Sequence, residues 1–165
     1  MNSSHKFLFD ECLAESGMQR IAASREGVGH EYAHVVSKYR QGIVDEELIP
    51  KVAAEGGWTV ITSDKGRQPG DKHKMPQLCL DFGVRHVMVS QTILKMKLDE
   101  RVELFVFSWP LFIKAAEDDG LRYSMKLLTS KRLLARGVGI DLIQPKMKGN
   151  NVIKTVGQLE IGFSG

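Results

Sequence analysis

Three short runs of β-forming residues, Lys6 to Phe9 (KFLF), Trp58 to Thr62 (WTVIT) and Arg85 to Val89 (RHVMV), are separated by stretches with helical patterning. This alternation constrains the chain more than any other feature, because strands linked through helices form an α/β domain with a mostly parallel sheet. Leu13 to Ser24 fits the first connecting helix. Asp45 starts a second, in which Leu48, Ile49, Val52 and Ala53 form one apolar stripe and Glu55-Gly56-Gly57 stops it. Pro50 is expected within the first turns of that helix, where a missing N–H costs little. Met75 to Phe82 reads as a further helix. Leu98 to Asp118 reads as a long helix, the alternative being a strand through Val102 to Phe107 and then a helix starting at Pro110 and capped by Ser108. Arg122 to Leu127 offers another strand, and Ile140 to Ile143 is apolar.

At 165 residues, with 42% apolar and 26% charged residues, the chain is expected to be one globular domain with residues 120–165 completing it. Met1 to Lys6 lacks the pattern of a secretory signal, and no run approaches membrane-spanning length, so no membrane partner and a cytoplasmic location are expected. Cys12 and Cys79 are too few and too far apart for a disulfide framework or a four-ligand zinc site, and read as small apolar side chains. A net charge of +3 permits an anionic partner such as nucleic acid without demanding one.

Gly29 to His34 (GHEYAH) contains a literal H-E-x-x-H, the spacing with which two histidines on a helix hold zinc while the glutamate activates water. A zinc protease through His30, Glu31 and His34 needs a third ligand, and Glu55 stands at a plausible separation. Ser37, Lys38, Tyr39 and Arg40 occupy the place of the metzincin continuation, and only 29 residues precede the motif, too few for the sheet that supports such a helix. Ordinary surface or edge histidines are the expected reading.

The acids form a more coherent set. Asp10 and Glu11 follow the first strand, Asp45 and Glu46 open a helix, and Asp64 follows WTVIT by one residue. Ligands of an open parallel sheet bind beyond the carboxyl ends of its strands, so Asp10 and Asp64 are expected to converge there, with the start of the Asp45 helix able to reach the same crevice. Carboxylates so gathered repel unless a hard divalent cation such as Mg²⁺ or Mn²⁺ neutralises them. Taken singly each acid is a cap or a solvated turn residue, and Asp45 alone would be a good helix cap. A phospho-receiver domain shares paired acids after its first strand and an aspartate after a later one. Ser90 suits its hydroxyl position, but Ser108 to Pro110 (SWP) places tryptophan where its lysine would be expected.

FLFDECL at Phe7 to Leu13, VDEELI at Val44 to Ile49 and WTVITSDKG at Trp58 to Gly66 together resemble the PIN-like nucleases, particularly a small bacterial group related to toxins of toxin–antitoxin pairs. The resemblance covers residues 5–115 and rests on the order of three short motifs. It implies a three-layer α/β/α, Rossmann-like fold and metal-dependent endoribonuclease activity. It also implies Asp10, Asp45 and Asp64 as catalytic, metal-binding acids, with Glu11 as a further catalytic member. The family often has asparagine where Cys12 stands, and a further acid and an aromatic where Gly66 and Arg67 stand; Asp71 is a candidate to replace the acid. Lys65, Arg67, Lys72, His73 and Lys74, in the loop beside Asp64, suit a phosphate backbone as well as they suit a solvated loop. Arg122, Lys126, Lys131, Arg132 and Arg136 suit either an extension of that track or an acidic antitoxin. RNA is the expected substrate, an antitoxin and a second copy of the chain are left open as partners, and a non-cutting PIN-like binding module is the alternative.

Overall fold

The computed structural model describes residues 3–63, 75–129, 136–143 and 153–161. Its strands β1 (Lys6–Phe9), β2 (Glu31–His34), β3 (Trp58–Ser63), β4 (Arg85–Val89), β5 (Arg122–Thr129), β6 (Arg136–Ile143) and β7 (Ile153–Ile161) form one sheet in the order β2-β1-β3-β4-β5-β6-β7. The first four pairings are parallel, and β5–β6 and β6–β7 are antiparallel. The helices are α1 (Glu15–Ala22), α2 (Val35–Lys38), α3 (Asp45–Glu55), α4 (Met75–Asp81), α5 (Gln91–Leu94) and α6 (Leu98–Glu117).

Strand alternation sends neighbouring side chains to opposite faces, and this divides the core. Phe7, Phe9, Ile61, Val87 and Val89 pack with α1 and α6, whereas Leu8 and Val60 pack with Leu48, Ile49 and Val52 of α3 and Leu78 and Cys79 of α4. The result is the expected three-layer α/β/α arrangement with a mostly parallel sheet. No helix among the described residues is long and apolar enough to cross a membrane.

Residues 98–117 resolve as one helix because Phe105, Trp109 and Phe112, spaced by four and three, make a single buried stripe. Trp109 lies 4.7 Å from Phe7 and 5.9 Å from Phe9, centroid to centroid, so the stripe locks onto β1. Ser108 is not a cap: its hydroxyl donates to the Leu104 carbonyl at 2.6 Å, and Pro110 sits inside the helix. Pro50 likewise lies beyond the first turn of α3, at a position whose N–H would have paired with the carbonyl of Glu46; Glu46 is exposed, so water can donate to that carbonyl in place of the missing N–H. Gly56, at φ 73°, ends α3 in the left-handed region that favours glycine.

Candidate functional site

The parallel strands present their carboxyl ends along one edge, and two of the expected acids reach it by different routes. Asp10 directly follows β1, and its N–H still donates to the Ile61 carbonyl of β3 at 3.1 Å, so it occupies the last rung of the ladder. Its Oδ1 accepts the Cys12 N–H at 2.7 Å, a local turn that fixes the carboxylate orientation. Glu11 lies exposed in the same turn. Cys12 is buried and its thiol donates to the Ile61 carbonyl at 3.5 Å. Burial pushes that thiol well above its ordinary range and the Asp10 charge adds to the effect, while Arg101 acts weakly against it. Cys12 is therefore a neutral, apolar filler and not a thiolate ligand.

Asp45 arrives on a helix. β2 ends at His34 on the carboxyl edge, and α3 carries the chain back to the start of β3, so the first turn of α3 lies towards that edge. Val44 is the residue at the cap, in extended conformation, and Asp45 is the first helical residue. The expectation that Asp45 caps its helix is thus corrected. With Glu46 and Glu47 it instead places negative charge at the positive end of the helix dipole. The charge of Asp45 also reaches α4, where it adds to the burial that pushes the Cys79 thiol up to about 12.

Asp64 follows Ser63, the last residue of β3, and lies outside the described residues, as do Lys65, Arg67, Asp71, Lys72, His73 and Lys74. Lys131 and Arg132 lie outside them too. Among the described residues no three of His, Cys, Asp and Glu gather to hold a metal, so Asp10, Glu11 and Asp45 do not make such a group by themselves.

The H-E-x-x-H motif has a different use. Glu31 to His34 is strand β2, not a helix, so the two histidines lack the one-turn spacing of a zinc grip. His34 is buried with both ring nitrogens engaged: Nε2 bonds to the Leu13 carbonyl at 2.9 Å, and Nδ1 accepts the Val36 N–H at 3.3 Å, capping α2. His30 Nδ1 accepts the His5 N–H at 3.1 Å, and the two rings stack 5.4 Å apart. Glu55, the third ligand that reading needed, bonds Tyr39, Trp58 and Lys38. The zinc protease reading is overturned by these contacts.

The receiver comparison also needs correction in its geometry. Ser108 to Pro110 lies within α6, and the strand beside β4 is β5, so the tryptophan at 109 says nothing about a strand-end lysine. The lysine described on β5, Lys126, pairs with the buried Asp141 of β6.

Three polar groups near this edge went unremarked as site residues, or nearly so. Ser63 Oγ and Ser90 Oγ, at the ends of the neighbouring strands β3 and β4, and Arg101 Nε of α6 are buried without a hydrogen-bond partner among the described residues. Ser90 carried a faint signal through its place after RHVMV. Arg101, inside the charged run LDERVE, carried none.

An open parallel sheet with carboxylates at its carboxyl edge defines a broad class of α/β domains that bind ligands there. Within that class the likeness is narrower: residues 5–70 match a family described as PIN like domain. The matched stretch contains Asp10, Glu11, Asp45 and Asp64 and all three motifs, and is shorter than the 5–115 span of the resemblance. No curated protein and no solved structure matches the chain.

Proposed function

We propose that this protein is a metal-dependent endoribonuclease of PIN-like type, with Asp10, Asp45 and Asp64 as its metal-holding acids. The observation that carries the reading is the placement of Asp10, on the last rung of β1, and Asp45, in the first turn of α3, towards one sheet edge within the family-matched stretch. The donor set fits a hard cation: carboxylate oxygens, with Cys12 and Cys79 kept protonated by burial and His34 fully engaged. Mg²⁺ or Mn²⁺ held there would supply an activated water and stabilise charge on a phosphodiester. The chain's own contribution is to fix the acids: the Cys12 N–H orients the Asp10 carboxylate, and the first turn of α3 places Asp45 at the positive end of the helix dipole. The toxin role and an antitoxin partner belong to the same proposal and rest on the resemblance alone.

The test is incubation of the purified protein with a mixed RNA pool in Mn²⁺ or Mg²⁺, alongside chelator and the variants Asp10→Asn, Asp45→Asn and Asp64→Asn. The expected outcome is metal-dependent cutting that falls by about a hundredfold or more in each variant, with circular dichroism unchanged. RNA bound equally well in chelator and in Mg²⁺, with no cutting, would instead identify a PIN-like binding module.

A further inference from the structure

Arg101 is badly placed for its own helix. It lies in the first turn of α6, where the dipole disfavours a cation and where Asp99 and Glu100 are the residues that suit it. One donor, Nη1, is fixed on the Leu94 carbonyl at 3.0 Å, while Nε is buried with no partner among the described residues. A half-buried guanidinium held at one corner and lacking an acceptor at another is suited to receive an oxyanion, because its planar fork matches the oxygens of phosphate.

Its surroundings place it at the edge already described. The next residue, Val102, packs on α1 in the same buried cluster as Cys12 and Leu13 of the turn that follows β1: a Cβ built on Gly17 of α1 would lie 3.0 Å from both Leu13 Cγ and Val102 Cγ2. Leu94, which anchors Arg101, closes the α5 turn by donating its own N–H to the Ser90 carbonyl at 3.2 Å. Arg101 therefore stands between the turn carrying Asp10 and the end of β4, where the Ser63 and Ser90 hydroxyls also lack partners among the described residues. The opposing influences of Asp10 and Arg101 on the Cys12 thiol agree with that placement.

We propose that Arg101 is a substrate-binding residue whose guanidinium takes a non-bridging oxygen of an RNA phosphodiester lying beside Asp10. The identity of the ligand as RNA rests on the nuclease reading, so the experiment measures binding without metal and separately from cutting. Anisotropy of a fluorescein-labelled single-stranded RNA is recorded in chelator, across a salt titration, for wild type, Arg101→Gln and Arg25→Gln. Arg25, 96% exposed in its side chain and next to the amino edge of β2, controls for loss of one positive charge. Arg101→Gln is expected to weaken binding about tenfold and to lower the salt slope by about 0.7, the value for one phosphate contact on a single strand, while Arg25→Gln leaves both unchanged.

Unchanged affinity and slope in Arg101→Gln would overturn the proposal even if the wild type cuts RNA. The expected loss in a protein that never cuts would sink the nuclease reading and leave Arg101 standing. Should Arg101→Gln fail to fold, the Nε–H resonance of Arg101 in the wild type, assigned through Arg101→Lys, decides: it should shift on RNA addition, and an unmoved signal overturns the assignment.

Discussion

The parallel and antiparallel parts of this sheet use α6 in opposite ways. In the parallel part the strands are short, four to six residues, and both faces are apolar: Phe7, Phe9 and Ile61 meet α6 while Leu8 and Val60 meet α3 and α4. In the antiparallel part the strands run eight or nine residues, and Tyr123, Met125, Val138, Ile140 and Leu142 join the α6 core from one face. On the other face Lys126 pairs with Asp141. Only where successive strands point the same way do their carboxyl ends share an edge, and that is where Asp10 and Ser63 lie. The antiparallel part contributes burial for α6. α6 grips the first part through an aromatic stack and approaches the second across a glycine.

The sharpest way to break that contrast is Trp109→Ala. Trp109 is fully buried among Phe7, Phe9, Tyr32 and Phe112, so the substitution removes the stack and leaves a large cavity against β1. A loss of about 3–5 kcal/mol is expected in urea unfolding. A loss under about 1 kcal/mol would show that the parallel part does not depend on this helix.

A smaller effect probes the seam between the two parts. His86 of β4 is buried beside Arg122 of β5, with Nε2 2.6 Å from Thr62 Oγ1. Burial first, and the charge of Arg122 second, bring its pKa down to about 4 from the ordinary 6.5. The unfolded chain takes up a proton near 6.5 and the folded one only near 4, so stability is fully present above the unfolded value and falls as pH drops between the two. Across that window the loss from this residue is about 3 kcal/mol. Urea midpoints of wild type and His86→Gln, compared at pH 7.5 and pH 4, should differ in acid sensitivity by that order. Parallel curves would mean that His86 charges while folded.

How much of this was legible follows the same division. KFLF, WTVIT and RHVMV stood out because strands buried on both faces read as continuous apolar runs. β2 did not, since the four residues EYAH mix charge with aromatic and its histidine is satisfied by the backbone of a distant turn, a contact no local pattern announces. β7 was missed because IKTVGQLEI is a half-exposed edge strand interrupted by glycine, with weak alternation. Residues 102–107 suited either strand or helix until Trp109 and Phe112 supplied the period. In the candidate site, the positions of Asp10 and Asp45 at a strand end and a helix start were readable because such boundaries are marked in sequence. The position of Arg101 was not, since it depends on the Leu94 carbonyl that holds its guanidinium.

The finest test bears on the glycine side of α6. A Cβ on Gly157 of β7 would come within 2.5 Å of Leu111 Cδ2, and Leu111 is itself 1% exposed and so has little room to yield. Two effects then oppose each other in Gly157→Ala. Restricting the unfolded chain favours alanine by about 0.4–1 kcal/mol, while crowding a packed leucine costs about 1–3 kcal/mol. The net change alone, about 1 kcal/mol destabilising, decides little, so the cycle with Leu111→Ala is the informative measurement. With the leucine truncated the crowding disappears, and Gly157→Ala should become neutral or stabilising, giving a coupling of about 1–2 kcal/mol. Additive changes would mean that α6 does not press on β7 at this point. The glycine would then serve only strand geometry, and the contrast between an aromatic grip and a glycine approach would reduce to the Trp109 stack.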